Sequence, residues 1–277
     1  MDLTPPQRRA IEWEDGPLLL VGGAGCGKTE VLARRLVRLA GAGEGPEKIL
    51  VVTSTRATAR RLRRRVEALL DGSYEELWAG TWEEIAERLL REYSEAAGLD
   101  PFFGVVGRAE RLAMLLDRFD ELPMRKAGEI RGNPAGLLAR LLERIDELKV
   151  GADPAEPELA QLCAAHDRIL AESGAIDRGD LFLILNRMLH EQPGARSEIA
   201  ARFTHWMVDE YEETTAAQRA LLRELAVDNP NHVYAESPAG GAVGGGSRTT
   251  VDRPQCPPHP ATGPARRCAP RSLGRAG

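Results

Sequence analysis

No segment limits the fold of this chain more than Gly22-Gly23-Ala24-Gly25-Cys26-Gly27-Lys28-Thr29. It fits the pattern GxxxxGK[ST], in which a glycine-rich turn cradles phosphate oxygens. Its flanks fit as well. The apolar run PLLLVG (17–22) reads as a buried strand, and Val31, Leu32, Leu36 and Leu39 recur at helical spacing from about Lys28 to Ala40. Glycine permits the positive φ angles that turn successive N–H groups inward. A helix that begins at Lys28 adds unpaired donors and a favourable dipole. Lys28 can then reach the terminal phosphates of a triphosphate, and the Thr29 hydroxyl can hold Mg2+.

The flanking pattern predicts the rest of the architecture. A second buried strand is expected at KILVVT (48–53) and a second helix at ATARRLRRRVEALL (57–70). Strand, glycine turn, helix, strand is the signature of a parallel sheet. From about Trp82 to Leu170 the pattern is helical, as in EIAERLLREYSEAAG (84–98), RAERLAMLLDRF (108–119) and AGLLARLLERIDELK (135–149). The α/β pattern returns with a helix at 181–190, a strand HWMVDE (205–210), a helix at 216–225 and a strand HVYA (232–235). The last 41 residues hold seven Pro and eight Gly with almost no large apolar side chains. Such text cannot bury enough surface to fold, so disorder is expected there.

Composition excludes other classes. No apolar run approaches the length of a membrane-spanning helix, and the N-terminus MDLTPPQRRAIEWEDG lacks a secretory apolar region. Four cysteines, unevenly spread, make no disulfide framework, so a reducing cytoplasm is the expected location and no membrane partner is expected. The net charge of −5 does not exclude a nucleic-acid partner, because a local basic stripe suffices. Arg56, Arg60, Arg61, Arg63, Arg64 and Arg65 form such a stripe on and beside one helix. It reads either as a phosphate-tracking patch or as a solvated helix face paired with Glu67 and Asp71. Cys256, His259 and Cys268 lack a fourth ligand and are not expected to bind metal.

A phosphate loop needs an acid beside it, supplied from the end of another buried strand. Met207-Val208-Asp209-Glu210 offers two. Asp209 is the candidate to hold Mg2+, and Glu210 to orient or deprotonate an attacking water. Gln7, in Leu3-Thr4-Pro5-Pro6-Gln7, can donate to and accept from an adenine edge at once. ATP and Mg2+ are therefore the expected ligands. Gln7 and the loop residues Gly22, Gly23, Ala24, Gly25, Cys26, Gly27, Lys28 and Thr29 would bind the nucleotide, and Lys28 and Glu210 would act in catalysis.

These elements, in this order and spacing, resemble the ATP-binding half of superfamily 1 DNA helicases of the UvrD/Rep/PcrA type. LTPPQRRAI is similar to that family's adenine-reading Q motif, and GGAGCGKT to its GAGSGKT loop. ILVVTSTRATARRLRRRV resembles the motif in which a strand and helix meet single-stranded DNA. Gly80-Thr81-Trp82 stands at Gly-Thr-Phe-His, Asp177-Arg178-Gly179-Asp180-Leu181 resembles DFxDLL, and VDEYEETTAAQ (208–218) resembles VDEFQDTNxxQ. The resemblance covers about residues 2 to 235. It implies a RecA-like phosphate-loop NTPase sheet at 1–82 and 176–236, an inserted all-helical subdomain at 83–175, and the disordered tail at 237–277. It also implies an ATP-dependent DNA helicase moving 3′ to 5′ along single-stranded DNA, with Thr53, Thr55, Arg56, Arg60, Thr81 and Trp82 as DNA contacts, Trp82 by base stacking.

The chain departs from that family at several positions. Glu212 and Glu213 stand where it has Gln and Asp, Ser54 where it has Phe, and Trp82-Glu83 where it has Phe-His. After HVYA the family's Gly-Asp-x-x-Gln is replaced by Ala235-Glu236-Ser237-Pro238, and the resemblance stops there, before the family's second RecA-like domain. The abrupt change of text suggests a shift of reading frame near residue 236. Completion by a second RecA-like domain or a partner subunit is expected, with weak activity from this chain alone. The other reading is a non-catalytic nucleotide- or DNA-binding module, or an inactive remnant.

Overall fold

Alternate residues of a strand face opposite sides of its sheet, and here both sides are apolar. Ile49 and Val51 join one buried cluster with Leu18, Leu20, Ala79, Met207 and Val233. Leu50 and Val52 join another with Trp78, Trp206 and Val208. A sheet buried on both faces requires unbroken apolar strands and helices on each side, which is why these strands read as continuous apolar runs.

The computed structural model describes residues 3–14, 16–70, 76–123, 133–150, 156–226, 229–237 and 250–252. The main sheet contains β1 (Leu18–Val21), β2 (Ile49–Thr53), β3 (Trp78–Thr81), β6 (His205–Val208), β7 (His232–Glu236) and β8 (Thr250–Asp252). A separate pair, β4 (Gly104–Val106) and β5 (Ala175–Asp177), lies outside it. The main order is β3-β2-β6-β7-β1-β8. The first five strands are parallel, and β8 runs antiparallel to β1. One face carries α1 (Pro5–Glu12), α2 (Lys28–Gly41) and α3 (Arg56–Leu70); the other carries α4 (Trp82–Glu92), α9 (Arg178–Glu191) and α11 (Ala216–Ala226). This is the α/β, RecA-like architecture that the sequence implied.

The remaining helices are α5 (Ser94–Ala97), α6 (Arg108–Asp117), α7 (Pro134–Val150), α8 (Pro157–Glu172) and α10 (Pro193–Arg202). Helices α6, α7 and α8 share their own apolar cluster, with Leu115, Leu138, Leu142 and Ile169 at its centre. By contrast α4 and α5 pack into the sheet's cluster through Ile85, Leu89, Leu90 and Ala97. The helix expected over 84–98 is broken at Tyr93, which ends α4 and precedes α5. Strands β3 and β4 and helix α10 carry no separate signal in the sequence reading. Most of the tail expected to be disordered, including Cys256, His259 and Cys268, lies outside the described residues. Its residues 250–252 depart from that expectation, because they pair with 19–21 at the sheet edge.

A buried charge network joins the small helical cluster to α9. Lys149, 4% exposed, bonds Asp167 at 2.6 Å, Asp177 at 2.9 Å and Asp180 at 2.6 Å. Arg111 donates to His166 Nε2 at 3.0 Å and to Asp146 at 2.6 Å, and lies 3.3 Å from Asp177. Asp177 and Asp180 also form the capping box that starts α9. The ligand atoms of His166, Asp167 and Asp177 lie within 4.8 Å of one another. The Lys149 ammonium already supplies the cation there.

Gly179 makes room for that lysine. A Cβ at Gly179 would fall 2.9 Å from Lys149 Cβ and 3.0 Å from its Cδ. The near atom is the root of the side chain, so relief requires the helices to move apart. Gly179→Ala should therefore destabilise the chain by about 1–3 kcal/mol, measured by urea unfolding. A loss below about 0.5 kcal/mol would mean that α7 and α9 are not closely apposed there.

Candidate functional site

In a parallel sheet, ligands bind outside the carboxyl ends of the strands. Three connections meet at that edge here: the glycine loop after β1, Ser54–Thr55 after β2, and Asp209–Glu210 after β6. Gly25 has φ 74° and Gly27 has φ 84°, the left-handed values that suit glycine. Gly27 is constrained a second way, since a Cβ there would come 2.9 Å from Gln7 Nε2.

Gln7 belongs to the capping box of α1. Its Oε1 accepts from Thr4 N at 2.8 Å, and its N–H donates to the Thr4 hydroxyl at 3.5 Å. Its Nε2 donates to Cys26 O at 2.8 Å. The adenine candidate and the phosphate loop are thus in direct contact. One Nε2 hydrogen and one Oε1 lone pair remain for a ligand.

Lys28 curls over the loop. Its Nζ donates to Gly22 O at 2.6 Å, Gly23 O at 3.3 Å and Ser237 Oγ at 3.2 Å. Those three contacts use all three ammonium hydrogens, so an anion must displace some of them. Ser237 N in turn donates to Glu212 Oε1 at 2.9 Å, which brings the departing Glu212 into the neighbourhood of the loop.

Thr29 Oγ1 donates to Asp209 Oδ2 at 2.7 Å. Asp209 is 1% exposed. Burial pushes its carboxyl up and the Glu210 charge adds to this, against the Thr29 hydrogen bond, the Glu210 backbone N–H and the Lys28 charge. The site therefore holds a carboxylate short of positive charge beside a hydroxyl. Two hard oxygen donors of this kind suit Mg2+. Glu210 follows with φ 57°, its N–H bonded to Asp209 Oδ1 at 3.1 Å. Its Oε2 accepts from the Ser54 hydroxyl.

The nucleic-acid candidates are brought side by side on β2 and β3, where Thr53 stands opposite Thr81. Thr53 is buried and donates to Thr55 O at 3.1 Å. Thr55 is exposed and its hydroxyl accepts from Thr58 N at 3.1 Å. Arg56 and Arg60 are exposed, with Arg56 3.9 Å from Glu84. Thr81 and Glu84 form the capping box of α4. The expectation for Trp82 is corrected. It is 4% exposed and packed in the sheet's apolar cluster, so its ring is not open to a base.

Elsewhere in the arginine stripe, Arg65 bonds Glu30 at 2.7 and 2.8 Å. That hydrogen bond leads the causes that hold the Glu30 carboxyl below its ordinary range. Arg63 donates to Ala79 O and lies 3.7 Å from Glu84. Among the described residues the partners are Glu30 and Glu84, not Glu67; Asp71, also named in the sequence reading, lies outside the described residues. Three contacts escaped the sequence reading: Ser54 with Glu210, Ser237 with Lys28, and Arg61, named there only as part of the stripe, which donates to Thr29 Oγ1 at 3.4 Å. Only strand order could have found the first, since it places 54 opposite 210.

The family model described as "UvrD/REP helicase N-terminal domain" matches residues 3–235. Similar curated proteins include the ATP-dependent DNA helicase PcrA of Bacillus subtilis (strain 168), 28% identical over 232 residues. The ATP-dependent DNA helicase UvrD1 of Mycobacterium tuberculosis (strain ATCC 25618 / H37Rv) is 32% identical over 238 residues. The aligned parts cover 81% and 83% of this chain, and 31% of each relative. The chain thus spans under a third of the length of these proteins. Among the described residues no helix is long and apolar enough to cross a membrane.

Proposed function

Because this chain belongs to the UvrD/REP helicase N-terminal domain family, we propose that it is the ATP-binding portion of an ATP-dependent DNA helicase. Completed by a second RecA-like domain or partner subunit, it would couple ATP hydrolysis to 3′-to-5′ movement along single-stranded DNA. Gln7 reads the adenine edge while the loop from Gly22 to Thr29 wraps the phosphates. Lys28 exchanges its contacts with Gly22, Gly23 and Ser237 for the terminal phosphates. Thr29 and Asp209 would hold Mg2+, which supplies charge neutralisation when bound. Glu210 orients the attacking water and takes its proton. The RecA-like unit is placed at 1–82 and 176–236 and the insertion at 83–175, of which α4 and α5 pack on the sheet and α6–α8 have a core of their own.

The observation that carries this reading is the 2.7 Å hydrogen bond from Thr29 to Asp209. Two residues 180 positions apart in the chain meet where a metal–triphosphate needs both. The test is ATP turnover by the purified chain with and without single-stranded DNA, with Lys28→Ala as control. DNA-stimulated, Lys28-dependent turnover supports the reading. Analogue binding without turnover favours the alternative, a non-catalytic module, for which the Glu212–Ser237 contact near Lys28 speaks.

The nucleic-acid surface makes a separate prediction. Arg56, Arg60 and Arg64 are exposed beside Thr55. Replacing all three by alanine should flatten the plot of log affinity for oligo(dT) against log salt by about 0.7 for each phosphate that the protein then fails to neutralise. An unchanged slope would place the DNA elsewhere.

A further inference from the structure

Strand register determines which side chains meet at the edge of the sheet. β2 and β6 are direct neighbours, with Val52 opposite Val208, and Asp209 N donates to Val52 O at 2.8 Å. Continuing that register sets Ser54 across from Glu210. The Glu210 backbone is already fixed. Among the described residues it alone, apart from glycine, has positive φ, and its N–H is tied to Asp209. What remains to be set is the direction of its carboxylate, and the Ser54 hydroxyl sets it by donating to Oε2.

Ser54 lies on a connection of only two residues between β2 and α3. It is half-buried, and Thr55 and Arg56 beside it are exposed. The connection is cross-linked to the elements on either side of it. The Thr53 hydroxyl holds Thr55 O, and the Thr55 hydroxyl accepts from Thr58 N and bonds the Thr58 hydroxyl at 2.9 Å. Ser54 is joined directly to Thr55, so a ligand that shifts Thr55 and Arg56 would shift Ser54 with them.

We propose that Ser54 is a positioning residue that restrains Glu210 until single-stranded DNA engages the connection at residues 53–56. The inference rests on the assignment of Glu210 as the group that takes the water proton. A carboxylate that accepts an O–H hydrogen bond is held in direction, with that oxygen turned to the hydroxyl instead of to a water. Withdrawal of Ser54 frees Glu210 for the attacking water. Occupancy of the DNA surface is thereby communicated to the hydrolytic site within one domain.

The test uses the full chain, Ser54→Ala and Ser54→Thr. Without DNA, Ser54→Ala should raise kcat for ATP roughly tenfold, the scale of one charge-assisted hydrogen bond. KM for ATP should not change, and stimulation by oligo(dT) should vanish. Ser54→Thr, which keeps the hydroxyl, should restore both. A second measurement needs no turnover: the 13C resonance of the Glu210 side-chain carboxyl, assigned with Glu210→Gln. It should move in Ser54→Ala, and oligo(dT) should move the wild-type resonance the same way. A resonance unmoved by either change overturns the proposal, as does a Ser54→Ala variant with wild-type basal kcat and stimulation. Both resonance shifts without Lys28-dependent turnover would support the Ser54 link and refute the hydrolytic reading, so the two failures are separable.

Discussion

Replacing Lys149 by methionine should destabilise the chain by about 3–5 kcal/mol, because it strands carboxylates that burial has cut off from water. Asp177 is fully buried and Asp180 nearly so. Burial pushes the Asp177 carboxyl up, but the Lys149 charge and hydrogen bond, with Arg111 and the Asp180 backbone N–H, hold it below its ordinary range. Asp180 comes out above its range, through burial first and then the neighbouring acids, despite Lys149. Lys149 itself is pushed above its ordinary range, because attraction by Asp177, Asp180 and Asp167 outweighs desolvation. Methionine fills the space of the lysine stem and offers no charge. Urea unfolding at neutral pH measures the loss, and a change under about 0.5 kcal/mol would show that the network is not closed.

The sign of the pH dependence follows. A carboxyl held below its unfolded value stabilises the fold above the ordinary carboxylate range, and that contribution fades as pH falls through the lowered folded value. Asp177 contributes in this sense only while Lys149 is present. The gap between wild type and Lys149→Met should therefore be widest near neutrality and narrow in acid. Adding Asp180→Asn to the lysine variant should recover part of the loss, since it removes the carboxyl that is least compensated even in the wild type.

Much of this fold is legible in the sequence because its strands are buried on both faces. LLLV and ILVVT have no polar interruption, and the helix after the loop is apolar at every third or fourth position. Strand β3 was not legible, because Trp78-Ala79-Gly80-Thr81 is short and mixes large with small residues. Its place comes from pairing with β2, which no local pattern reveals. Strand β8 is harder still, since a three-residue edge strand in Pro- and Gly-rich text gains its partner from β1 alone. In the candidate site, the meeting of Thr29 with Asp209 was foreseeable, because a phosphate loop is expected to have an acid brought beside it from another strand. Trp82 was expected to stack on a base from its place in the resemblance, which does not say which way the ring points. The sheet claims it for the core, where its transfer from water contributes on the order of 2–3 kcal/mol. Ser54 was invisible as a partner of Glu210, since only the order of strands β2 and β6 puts one opposite the other.

Asp209→Asn should act in opposite directions on stability and on turnover. Burial pushes the Asp209 carboxyl above its ordinary range, so its ionisation opposes folding, and stability falls as pH rises from the ordinary carboxylate value through the raised one. Asparagine keeps the shape and an oxygen to accept the Thr29 hydrogen bond, and it removes the charge. The ligand-free variant should therefore melt no lower than wild type at neutral pH. The same change removes the carboxylate that would hold the metal, and Lys28→Ala removes the cation that would meet the terminal phosphates. Each should lower kcat/KM for ATP by about 10²–10³, the scale seen when one group aimed at developing charge is deleted. Lys28→Ala should also abolish the rise in melting temperature that a nonhydrolysable ATP analogue with Mg2+ gives the wild type by mass action. A destabilised Asp209→Asn with normal turnover would mean that this buried carboxylate serves the fold and that nucleotide chemistry does not occur at this edge of the sheet.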